Sequence, residues 1–69
     1  MDNNQMPIYK LVKDYIAAYG LTQKTVADKA NIPYSSFNAM MNGKRRIYAD
    51  EFRAICKALD VNPDIFILA

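Results

Sequence analysis

Histidine is missing from this chain, and cysteine occurs once, as Cys56. Without an imidazole or a second thiol there is no tetrahedral zinc set and no histidine-based catalysis. One cysteine and no signal-like opening segment fit a reducing cytoplasm. No apolar run approaches the roughly 20 residues that a membrane-spanning helix requires. No paired carboxylates and no serine–lysine arrangement stand beside an evident pocket. A chain of 69 residues also has little room to build one. The expectation is therefore a protein that is not an enzyme, with no metal, no cofactor, no membrane and no small-molecule substrate.

What is present is a core. The apolar fraction is 52%, enough for folding and contrary to disorder. The length allows one domain, and such a chain buries only about 60% of its unfolded surface. The net charge of +2 is modest, but its placement is uneven. Residues 22–46 carry Lys24, Lys29, Lys44, Arg45 and Arg46 against Asp28 alone, a local +4, while the remainder carries −2. A polyanion such as a phosphate backbone is the partner that such a footprint suits.

Residues 1–6 are polar and are expected to be a flexible segment, followed by a single domain over 7–69. Pro7 favours a first helical turn. Ile8, Val12, Ile16 and Tyr19 then repeat at helical spacing, giving a helix over about 7–19 that stops at Gly20. A second helix covers about 23–30, with Thr22 as N-cap and Leu21 and Val26 as a hydrophobic staple. Thr25 stands where a reciprocal capping box needs Glu. Asn31 tolerates the left-handed conformation that ends a helix, and Pro33 suits the start of the next. Two helices joined by so short a break cross steeply, as a helix-turn-helix.

The third helix, from about 33 or 34 to 42, has two unlike faces. Phe37 and Met40 mark the apolar side, and Met41, 100° away from Met40, is expected to be partly exposed. Ser35, Asn38, Ala39 and Asn42 lie opposite. A merely solvating face would carry Glu–Lys pairs. This one is small and uncharged, and Ser and Asn can address base edges in a major groove. Pro33 has no side-chain acceptor, so Ser35 or Ser36 is expected to compensate at the helix start.

Further on, Phe52, Ile55, Cys56 and Leu59 form the core stripe of a fourth helix. Tyr48 replaces the usual capping residue there, with Glu51 as the box partner three positions later. Cys56 lies on that stripe and reads as a core residue rather than a nucleophile. Residues 60–64 begin like a calcium loop, but Ile65 takes the position that needs glycine. They are read instead as a turn into a fifth helix, with Asn62 as N-cap and Pro63 at its first position.

The series Gly20-Leu21-Thr22-Gln23, Val26-Ala27, Asn31-Ile32-Pro33, Phe37-Asn38 and Met41-Asn42-Gly43-Lys44 resembles the lambda-repressor/Cro-like (Xre-type) family of helix-turn-helix DNA-binding domains. The likeness continues through Phe52, Ile55-Cys56-Lys57-Ala58-Leu59 and Val61-Asn62-Pro63-Asp64, nearly the whole chain. It implies an all-α, compact five-helix fold whose third helix reads double-stranded DNA, usually as a homodimer on an inverted repeat. Tyr34, Ser35, Asn38 and Ala39 match the base-facing positions. Gln23 matches a glutamine that touches a phosphate and braces the recognition helix, and Asn42 matches a backbone contact. Thr22 and Lys24 join them at the opening of the second helix, where free amides favour anions. Lys44, Arg45 and Arg46 supply a phosphate clamp from the following loop.

The apolar tail, Ile65, Phe66, Ile67 and Leu68, is the candidate dimer interface, since a short helix cannot hide every side. The leading expectation is a sequence-specific transcriptional regulator of repressor/Cro type. The alternative is a protein-interaction module, antitoxin-like or antirepressor, with DNA binding secondary. The absence of Arg, Lys and Gln from the outward face of the third helix favours that alternative.

Overall fold

The computed structural model describes residues 7–67. Five helices follow in order: α1 (Ile8–Ala18), α2 (Gln23–Ala30), α3 (Tyr34–Met41), α4 (Ala49–Leu59) and α5 (Asp64–Ile67). The described residues contain no strand, so the architecture is all-α. The expected flexible segment 1–6 and the last tail residues, Leu68 and Ala69, lie outside the described residues.

Four of the helices end in the same way. After α1, Gly20 takes φ +68°, its amide donates to the Ala17 carbonyl at 3.2 Å, and the Leu21 amide reaches back to Ile16 at 3.0 Å. The same pair of bonds recurs at Asn31 and Ile32 after α2, at Gly43 and Lys44 after α3, and at Asp60 and Val61 after α4. This is the Schellman stop, which satisfies two carbonyls that the helix leaves open and turns the chain sharply. Glycine fills two of the left-handed positions, while Asn31 (φ 61°) and Asp60 (φ 59°) fill the others. Asn and Asp tolerate that conformation better than other side chains do.

Helix starts are less uniform. At α2 the Thr22 hydroxyl accepts the Thr25 amide at 3.1 Å, and the two threonine hydroxyls bond to each other at 2.7 Å. As expected without Glu at position 25, the reciprocal half of a capping box is not formed, and the Thr25 hydroxyl instead accepts from Thr22. At α3 the N-cap is Pro33 with no side-chain cap, so neither Ser35 nor Ser36 compensates for it. At α4 Glu51 accepts the Tyr48 amide at 3.0 Å, which completes the reciprocal half of a box. At α5 the Asn62 side chain accepts the Asp64 amide at 3.0 Å, as its N-cap role requires.

The core draws on every helix: Val12 and Ile16, then Val26, Ala27 and Ala30, then Ile32, Phe37, Met40 and Met41, then Ile55 and Cys56, and finally Phe66. No polar or charged residue is buried with them among the described residues. Each large side chain that leaves water here contributes about 1.5–3 kcal/mol. Burial raises the pKa of the Cys56 thiol, which keeps it protonated and unreactive.

Two expectations are corrected by this packing. Met41 is fully buried rather than partly exposed. Helix α3 packs against both α2 and α1, so its covered arc is wide enough for Met40 and Met41 together. Phe66 belongs to the core and not to an external face, with 6% of its surface accessible. Its ring meets Tyr15 edge-on at 5.7 Å and Phe52 at 6.1 Å, which fastens α5 to α1 and α4. Ile65 and Ile67 do face outward, and Leu68 lies beyond the described residues. No helix among the described residues is long and apolar enough to cross a membrane.

Candidate nucleic-acid interface

Because α2 and α1 occupy two sides of α3, only one strip of that helix remains open. Ser35 and Asn42 are exposed on it, Asn38 and Ala39 are half-buried, and Tyr34 is 46% exposed at its leading end. The strip carries no charge. Its polar groups are wired to one another: the Asn42 side-chain amide donates to the Asn38 carbonyl oxygen at 3.2 Å, and the Asn38 amide points to Gln23 Oε1 at 3.5 Å. The second contact is long, but it joins the start of α2 to the middle of α3. Gln23 therefore stands where a brace between the two helices must stand.

The relay does not use up its members. A carboxamide has two N–H donors and an acceptor oxygen with two lone pairs. Asn38 keeps one donor and one lone pair, the complement of the adenine edge in a major groove. Gln23 accepts through its oxygen in this relay, so neither donor of its amide is spent there. Thr22 and Lys24 are exposed beside it at the opening of α2. The Thr22 hydroxyl is occupied by capping, so the free amides of that turn are what it leaves for a phosphate.

The loop after α3 departs from its expected role. Lys44 and Arg46 are exposed. Arg45 is not a free cation: its guanidinium grips Glu51 through two bonds of 3.0 and 2.9 Å and also donates to the Arg46 carbonyl at 3.0 Å. The Tyr48 ring lies 5.8 Å from it. The Arg45 bonds, with the Tyr48 amide second, hold the Glu51 carboxyl below the usual carboxylate range, and Glu51 in turn raises the pKa of Arg45. A planar fork satisfied in this way is a poor ligand for a phosphate. Arg45 therefore keeps two of its five N–H donors, and its charge is already paired.

Two contacts in this region were not expected from sequence. Glu51 reads there as the box partner of Tyr48 and not as the counter-ion of Arg45; six positions after Arg45, its sign was the available signal. Tyr9 gave none. Its ring lies so close to Gly43 that a Cβ there would stand 2.6 Å from it, and the contact exists only in three dimensions.

A bundle in which a left-handed Asn and a proline join the second and third helices, with the third laid open along one strip, defines a helix-turn-helix domain. The model of the Cro/C1-type HTH DNA-binding domain family matches residues 2–67, and the chain belongs to that family. Double-stranded DNA is accordingly its partner. The fold is also similar to that of the restriction-modification controller protein C.AhdI from Aeromonas hydrophila. That match has a TM-score of 0.76 at 23% identity, over 81% of this chain and 85% of the other. No curated protein matches the chain.

Proposed function

We propose that this DNA-binding domain is a transcriptional regulator of repressor/Cro type that reads the major groove with α3, as a homodimer on an inverted repeat. The observation that carries this reading is the open strip of α3, small and uncharged, with cations at both flanks and none of the described residues laid over it. Tyr34, Ser35, Asn38 and Ala39 meet the base edges. Gln23, Lys24, Asn42, Lys44 and Arg46, with the amides at Thr22, hold the phosphates and set the register. Ile65 and Ile67 are the exposed apolar residues through which two copies would meet. In such a dimer the half-sites lie about 34 Å apart on one face of the duplex.

Selection of bound duplexes from a random pool tests the reading. The expected result is an inverted repeat with that spacing. A selected pool with no common sequence would overturn sequence-specific recognition. No retardation of random duplex DNA by micromolar protein at low salt would favour a protein-interaction module, the role to which the missing Arg, Lys and Gln on the strip lend support.

A further inference from the structure

Resting on the proposed phosphate clamp, we infer that Tyr9, Arg45 and Glu51 are positioning residues. They touch no DNA themselves but hold the loop that presents Lys44 and Arg46. Along one side the loop borders an open groove of about 630 Å³, lined by residues 43–47 with Ile8, Tyr9, Ala49 and Phe52. Ile47 anchors its far end on the core and the helix stop fixes its start; between them, on the side of the groove, two latches hold its course. At one end the Tyr9 ring sits on Gly43, at a distance that leaves no space for a Cβ. At the other, the Arg45 fork closes on Glu51 while donating to the Arg46 carbonyl, so the backbone beside Arg46 is tied to the first turn of α4. Two long cationic side chains on a slack loop lose much freedom when they settle on a phosphate, and a loop already held in place reduces that cost.

The sign of one substitution separates this role from simple electrostatics. Glu51→Gln removes a negative charge beside the polyanion, which alone would tighten binding. Loss of the latch weakens it. Binding of a random-sequence duplex is measured by fluorescence anisotropy over a range of salt. Glu51→Gln and Arg45→Ala are expected to bind roughly two- to tenfold more weakly, with the salt slope of the native protein. Arg46→Ala, which deletes a real phosphate contact, lowers that slope by about 0.9. Arg45→Lys, which keeps the charge but loses the fork, is weakened at unchanged slope and serves if Glu51→Gln melts early. Glu51→Gln binding as tightly as the native protein, or more tightly, overturns the inference. So does an Arg45→Ala slope reduced by the full amount of a lost phosphate contact. If Arg46→Ala alone is without effect, the clamp itself falls; if only the latch variants are, the clamp stands and the latches fall.

Discussion

The two sides of α3 are built by opposite rules. Its inner side, with Phe37, Met40 and Met41, is fully buried, wholly apolar and gripped from two directions by α1 and α2. Its outer side keeps water, and its order comes from a thread of carboxamides running from Asn42 through Asn38 to Gln23. Shape and volume decide the first, and hydrogen-bond direction decides the second. The same short helix can thus be rigid as a body while its exposed groups remain able to exchange partners.

The largest effect should come from breaking the inner side. Phe37→Ala removes a completely buried ring and is expected to cost about 3–5 kcal/mol. Chemical denaturation would read this, with Ser35→Ala, on the other side, staying within about 0.5 kcal/mol of the native protein. Asn38→Ala reverses the pattern. Folding is expected to change little, while discrimination at one base pair falls by about 1–3 kcal/mol in competition between selected duplexes. An equal loss on every sequence would instead place Asn38 on the backbone and erase the functional half of the contrast.

The smallest effect concerns the edge where the two sides meet the loop. The lowered pKa of Glu51 means that its pairing with Arg45 contributes fully above the ordinary carboxylate value and is lost only as pH falls through the lowered one. The stability difference between native protein and Glu51→Gln should therefore be flat from about pH 5 to 8 and shrink in stronger acid. Thermal melts across that range would show it. A difference that already shrinks near neutral pH would mean that another group supports the latch.

Sequence alone revealed the features set by near neighbours. Thr22 as a cap, the left-handed Asn31, the stop at Gly20 and the cap at Asn62 each depend on a few adjacent residues, and each was legible. Met41 was not, because periodicity describes one face while a helix held by two neighbours buries a wider arc. Phe66 was misplaced for a related reason: a tail considered by itself has no Tyr15 or Phe52 to receive it. Arg45 was counted as charge without its counter-ion. The strip from Ser35 to Asn42 was legible as a surface, whereas a link to Gln23 was expected only through the family resemblance, since 15 residues separate the partners that α2 and α3 bring together.

The double grip on α3 also bears on how such a protein changes its target. A rod clamped by two neighbours has no room to roll, so adjustment to an unfamiliar site falls to the few side chains outside the clamp. If positions 34, 35, 38 and 39 read bases as proposed, rewriting them would leave the buried side of α3 unchanged, much as type is reset in a fixed frame. New binding preferences would then become available one letter at a time, with the apolar core of the helix kept.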